Sequence, residues 1–375
     1  MFHSCLCLLC DSHLTGSSCG CYIYAIEVSR FQDTQTGTSH THTHILLHHF
    51  KKSKTVIVKT YLFLCVAKSY SSLEEDAHRK NIWLSTRRRV LIHNILADQG
   101  IKTYRMGMNQ FSDMDSEEFS QTVLRRRSMI PSNETKAMPH RGTIPSQPKG
   151  GAAKLPDSVD WRDNGCVTPV KYQGGCGSCW AFSTAGALES HYCIKYGNLP
   201  SLSEQQLVDC TGSYGNQGCN GGWMDPSFQY VIDNGGDRDR EACSNGPQFN
   251  IYQDGSCRFN PSGVGATCSG YSDVTPSGDE SALQWSVANV GPVSVVIDSE
   301  HFQNYGSGVF NDPDCNSNQH NHAVLVVGYG TEGGRDYWLV KNSWGVAWGE
   351  EGYIKMSRNQ GNQCFIASFA SYPIV

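Results

Sequence analysis

Cys179 stands in the run Gln173-Gly-Gly-Cys-Gly-Ser-Cys179-Trp180, at the start of a stretch that predicts a helix over 178–195, with Gly197 and Asn198 as its stop signal. A thiol there faces the positive end of the helix dipole, which stabilises a thiolate and predicts a lowered pKa. The chemistry that follows is nucleophilic attack. The same Cys-x-x-Cys pair could belong to a thioredoxin-like redox site or to half of a zinc site. The first wants a strand before the motif and a small βαβ fold after it, and the second wants another pair of ligands in register. Neither appears, so no metal is expected. A cysteine nucleophile needs a base, and the base needs an orienting group. His322 immediately precedes a predicted strand over 324–329, and Asn342 ends another over 337–341, so two strand ends can bring them together opposite the helix. A lone histidine is more often structural. The combination with Cys179, 143 residues upstream, and Asn342, 20 downstream, gives His322 its role as base.

The elements that must hold these residues begin with the chain's size. A length of 375 residues leaves room for two or three modules, and 39% hydrophobic with 17% charged residues describes a globular chain. No uncharged apolar run reaches the roughly 18 residues of a membrane helix, so no membrane span is expected. The net charge of −5 divides unevenly: residues 1–154 hold 20 Lys+Arg against 12 Asp+Glu, and residues 155–375 hold 10 against 23. A basic part, +8, thus precedes an acidic one, −13. Such bodies attract each other, and the acidic one is a poor partner for nucleic acid. Seventeen Cys point to an oxidising compartment.

Residues 1–67 do not read as a domain. Cysteines crowd the start, and 39–44 reads Ser-His-Thr-His-Thr-His, an alternation that a translated two-base repeat would produce. This is an atypical leader, disordered or non-native, in which no signal peptide is recognisable. From Lys68, Glu75, Arg79, Trp83, Val90 and Asn94 recur on one face of a predicted helix, and Gly107, Asn109, Phe111 and Asp113 alternate as one face of a short strand. Residues 128–151, with four prolines, read as an exposed linker where a protease would cut. Further helices are predicted over 202–210 and 226–234, then strands over 293–297, 324–329, 337–341 and 353–356. Helices first and strands after give an α+β body of two lobes with a cleft between.

From residue 68 to the end, the chain resembles papain-like cysteine peptidases of the cathepsin L and S type. The resemblance rests on Cys176-Gly-Ser-Cys179-Trp180, Gly218-Cys219-Asn-Gly-Gly222 and Lys341-Asn342-Ser-Trp344-Gly-x-x-Trp348-Gly349, together with the two prosegment patterns above, where Thr86 stands in place of the usual Asn. It implies a helical left lobe, a β-barrel-like right lobe and a helical inhibitory prosegment: 1–67 leader, 68–154 prosegment, 155–375 mature peptidase. It implies that Cys179 attacks as a thiolate paired with the His322 imidazolium, that Asn342 orients the imidazole under Trp344, and that Gln173 donates to the oxyanion beside the Cys179 N–H. It assigns substrate contacts to Gly221, Gly222, Trp223, Met224, Val296, His320, Asn321, Ala323, Trp348 and Phe369. The apolar pocket among them predicts hydrophobic side chains at the second position before the cut and, with bulky Trp223, Val296 and Phe369, a shallow floor. Family spacing pairs Cys176 with Cys219, Cys210 with Cys257 and Cys315 with Cys364, leaving Cys166, Cys193, Cys243 and Cys268 unassigned. Phe365 departs from the family's Gly after Cys364, and 237–256 is longer than usual.

The expected partners are protein and peptide substrates, the chain's own prosegment and cystatin-type inhibitors. No cofactor is called for, and the expected state is a monomer. Asn133-Glu-Thr is a glycosylation sequon that suits a lysosomal or extracellular precursor. The rival reading is a catalytically silent homologue that binds or inhibits other peptidases; intact Cys179, His322, Asn342 and Gln173 weigh against it.

Overall fold

A computed structural model describes residues 19–20, 68–124, 154–238, 253–315 and 320–375. The leader outside 19–20, the linker with Asn133, and Cys243 therefore lie outside the described residues. The chain divides into two compact units, Met1–His78 and Arg79–Val375. In the first, β1 (Cys19–Gly20) pairs antiparallel with β2 (Lys68–Ser69), and the Ser72 hydroxyl accepts the Glu75 N–H at 3.1 Å in the first turn of α1 (Leu73–Asp98).

The second unit carries the rest of α1, which buries Trp83, Thr86, Val90 and His93 along one side. The predicted helix is therefore present, and Thr86 lies on its buried face. Arg79 forms an ion pair with Glu118 of α2 (Ser116–Thr122), whose N-terminus is capped by the Asp115 carboxylate. The strand expected over 107–113 is instead β3 (Tyr104–Met106), followed by a turn. The Asn109 side chain causes the difference: its Oδ1 accepts the Phe111 N–H at 2.9 Å, and the Ser112 Oγ accepts the Asn109 N–H at 2.8 Å. Asparagine satisfies its own backbone in this way and replaces the ladder.

Helices α3 (Cys179–Tyr196), α4 (Glu204–Cys210) and α5 (Met224–Asn234) come next. Gly197 ends α3 at φ +73°, a left-handed cap that glycine adopts without strain. The helix expected from 202 starts at Glu204, because Ser203 stays extended and its hydroxyl caps the Gln206 N–H. Short strands β4 (Val159–Asp160), β5 (Asp237–Arg238) and β6 (Val264–Ala266) flank the helical part. The remaining elements are β7 (Gly270–Asp273), α6 (Glu280–Asn289), β8 (Val293–Ile297), β9 (Tyr305–Phe310), β10 (His322–Glu332), β11 (Arg335–Lys341), β12 (Tyr353–Ser357) and β13 (Phe369–Ile374).

Their sheet runs β3-β9-β12-β11-β10-β8-β13-β7, with β4 added on β10. The path is open, since β3 and β7 are its two ends, so the barrel-like lobe is not a closed barrel. All pairings along it are antiparallel except β9 with β12. One core gathers around the sheet and includes Trp338, Trp344, Trp348 and Phe310; a second gathers around α3 and includes Trp180, Leu188 and Phe228. This is the expected α+β arrangement of two lobes.

The segment 79–124 docks as an added sheet edge. Tyr104 pairs with Gly308 and Arg105 with Ser307, so main-chain bonds seat it. Asn109 Nδ2 donates to Gln303 O at 2.7 Å, Gln110 Nε2 to Trp344 O at 2.6 Å and Arg89 Nη2 to Asn304 Oδ1 at 2.7 Å. Phe111 and Phe119 meet the Trp344 ring edge-on, with centroids 5.7 and 5.3 Å away.

Candidate active site

Ser178 N-caps α3 without a side-chain hydrogen bond, and Cys179 is the first helical residue. Its Sγ accepts the Ala323 N–H at 3.4 Å, which ties the thiol to the residue after His322 at the start of β10. Across the strand ends, the His322 Nε2 lies 2.7 Å from Asn342 Oδ1. That oxygen also accepts the Ser343 N–H at 2.7 Å, so the amide is oriented oxygen-first and Nε2 carries the proton. The remaining nitrogen, Nδ1, is buried without a hydrogen-bond partner and carries the lone pair a base needs. Trp344 covers the pair, stacked on the His322 ring at 4.6 Å and 26°. Phe111 and Phe119 meet that same indole edge-on.

Burial sets the protonation states. Cys179 is 5% and His322 0% exposed. Burial pushes the thiol up to about 11 even though the Ala323, Trp180 and Cys179 N–H groups pull it down. It pushes the imidazole down to about 4, against the Asn342 contact. The lowered thiol pKa expected from the helix dipole is therefore not met in this closed state: desolvation outweighs the dipole, and the couple rests as thiol and neutral imidazole.

Gln173 is anchored on both ends of its side chain. Oε1 accepts the Ser343 hydroxyl at 2.5 Å and Nε2 donates to Cys176 O at 3.0 Å, while its backbone N–H bonds Ser343 O at 2.8 Å. Since an amide carries two N–H groups, one remains for an oxyanion. Behind Asn342 lies a buried charge network that sequence reading missed, because its members are scattered along the chain. Lys171 meets Glu189 at 2.7 Å and also pairs with Glu204, and Lys341 Nζ donates to Thr168 Oγ1 at 2.8 Å. Burial works against the Lys171 ammonium, but the two carboxylates hold its pKa above the ordinary value; Lys341 is pushed down to about 8 by burial.

The residues assigned to substrate contact are partly gathered. Phe369 meets Trp223 at 5.3 Å and His320 at 4.7 Å, while Val296 pairs with both Ala323 and Phe369 in the sheet. Met224 is buried at the start of α5 beside this group. Gly221 holds φ +119° with open space at its Cβ position, whereas a Cβ on Gly222 would lie 2.7 Å from both Asn216 Oδ1 and Trp180 Cε2. The bare backbone at Gly222 is thus required by packing. Asn321 is buried, its Oδ1 accepting from the Ser299 N–H and hydroxyl at 2.9 and 3.0 Å. Trp348 is not brought to the group: it lies behind Trp344, edge-on at 4.9 Å, with its indole N–H on Phe302 O.

Sulfur atoms join Cys176 to Cys219, Cys210 to Cys257 and Cys315 to Cys364, and a fourth bridge joins Cys166 to Cys193. Cys268 is a buried free thiol. Among the described residues no helix is long and apolar enough to cross a membrane.

A thiol at a helix start, an imidazole steered by an amide and a docked prosegment define a cysteine peptidase held in precursor form. Residues 155–374 match the model for the papain family cysteine protease, and residues 66–119 match that for the cathepsin propeptide inhibitor domain (I29). The chain belongs to the papain family and is a cysteine endopeptidase of the cathepsin L/S type with its inhibitory propeptide. It is 49% identical over 318 residues to cathepsin S of Bos taurus, covering 84% of this chain and 90% of that protein. It is 48% identical over 315 residues to a cathepsin L-like peptidase of Aedes aegypti, covering 82% and 90%. The digestive procathepsin L 3 of Tenebrio molitor larval midgut superposes with a TM-score of 0.73 at 45% identity, covering 82% of this chain and 95% of that one.

Proposed function

We propose that the chain is a zymogen whose Cys179 thiolate, formed by proton transfer to His322 Nδ1 once the prosegment leaves, attacks a peptide carbonyl carbon. The carbon–sulfur bond forms and the oxyanion takes N–H donation from Gln173 and the Cys179 backbone. A donor of this kind is worth about 3 kcal/mol in the transition state. Collapse breaks the carbon–nitrogen bond, and His322 returns its proton to the leaving amine. Water, deprotonated by His322, then hydrolyses the thioester and restores the thiol. Asn342 keeps Nε2 protonated throughout and Trp344 keeps water from that bond.

The carrying observation is the 2.7 Å contact from His322 Nε2 to Asn342 Oδ1, which leaves Nδ1 buried and unpartnered in the strand that bonds Cys179 Sγ. Trp223, Val296, His320, Ala323 and Phe369 form an apolar pocket for the second side chain before the cut, favouring Val or Leu over Phe. Proteins degraded in a lysosome-like or extracellular compartment are the substrates. Maturation removes 68–154 by a cut within 128–154, Asn133 carries glycan, and the mature enzyme is a monomer open to cystatin-type inhibitors. Incubating the acid-treated protein with a thiol-directed epoxide tests this. An adduct on Cys179 is expected; none there would leave the silent-homologue reading standing.

A further inference from the structure

We propose that Phe365 is a specificity-determining residue, which with Phe369 clamps the His320 ring and so narrows the pocket for the second side chain before the cut. This rests on the pocket assignment above. The first observation is conformational. Cys364 and Phe365 hold φ +53° and +61°, a left-handed region that residues other than glycine rarely adopt. The bridge to Cys315 fixes Cys364, and two main-chain bonds hold Phe365: its N–H donates to Asn362 O at 3.0 Å and its carbonyl accepts the Ser368 N–H at 2.9 Å. What its side chain gains is a contact: its ring lies 4.6 Å from His320, tilted by 37°.

The second observation is polar. Both His320 ring nitrogens are buried and lack any hydrogen-bond partner, although imidazoles in proteins normally bond through one of them. Packing alone therefore positions the ring. Phe369 also packs against it, edge-on at 4.7 Å and 88°, and itself touches Trp223 at 5.3 Å. Through Val296 the same group reaches Ala323, whose N–H holds the Cys179 sulfur. Any displacement of His320 thus alters the pocket wall beside the nucleophile.

Phe365→Gly tests the idea and suits the backbone, since glycine accepts φ +61°. In the full chain carrying Cys179→Ala, to prevent processing, the His320 ring-proton NMR signal is assigned by its loss in His320→Gln. Phe365→Gly should move that signal as ring-current shielding falls. In the active enzyme, kcat/KM for peptides with Phe against Val at the second position should rise about tenfold in relative terms, the scale of one pocket wall. An unmoved His320 signal overturns the clamp. A moved signal with an unchanged Phe/Val ratio overturns the role in specificity. If the wild type cuts neither peptide, the peptidase reading fails, while the NMR comparison still decides the clamp.

Discussion

Cys179 and His322 carry opposite protonation shifts in the closed precursor, the thiol up to about 11 and the imidazole down to about 4. Both shifts come from burial, so both should relax when solvent and each other's charge become available. Alkylation of Cys179 by iodoacetamide should therefore be slow in the intact precursor until strongly alkaline pH, and fast below pH 7 after the prosegment is removed. Equal rate profiles before and after processing would contradict this. Asp237 offers a second test. It is fully buried, and burial, with Glu204 adding to it, holds its pKa well above the carboxylate range. A raised carboxyl pKa means the folded state holds a proton the unfolded chain has lost, so stability falls as pH rises above about 4. Asp237→Asn should raise Tm at pH 7 and leave it nearly unchanged near pH 3.5; thermal unfolding at the two pH values checks it. Neither shift is legible in sequence, because desolvation sums over neighbours from many segments. Cys179 itself was legible, since a thiol before a helix is a local pattern.

At the scale of elements, the docked edge strand and the aromatic contact on Trp344 together seat the prosegment. Phe119 of α2 is 1% exposed and lies 5.3 Å from both Phe111 and Trp344. Phe119→Ala removes this packing at a cost of about 3 kcal/mol. It should speed the appearance of mature enzyme at acid pH severalfold, as read on a processing time course; an unchanged rate would detach α2 from inhibition. The helix, strand and stop signals around the site were visible in advance: Gly197 ends α3, and β8 spans the predicted 293–297. The 107–113 segment was not, because alternation marks a strand only where main-chain partners exist, and Asn109 supplies its own.

Over the whole molecule, residues 68–154 carry 15 Lys+Arg against 9 Asp+Glu, and residues 155–375 carry a net −13. Acid protonates carboxylates on the negative body and weakens that attraction. His93 acts in the same direction. It is buried with Nε2 3.0 Å from Tyr104 O, and burial lowers its pKa, so the folded precursor binds its proton less readily than the unfolded chain. Its contribution to the stability of the folded precursor is present above about 6.5 and is lost as pH falls toward its lowered value. Processing should be faster at pH 5 than at pH 7, and His93→Gln should flatten the difference; equal wild-type rates at both values would refute the electrostatic account. What the sequence determined by itself was the papain-like cysteine peptidase family and its precursor form, because the patterns around Cys179, His322, Asn342 and the prosegment are each short and local. The tertiary structure alone decided which nitrogen of His322 is free, that the couple rests uncharged, and that Phe365 reaches His320. Those are properties of burial and of contacts between distant segments, which no local spacing encodes.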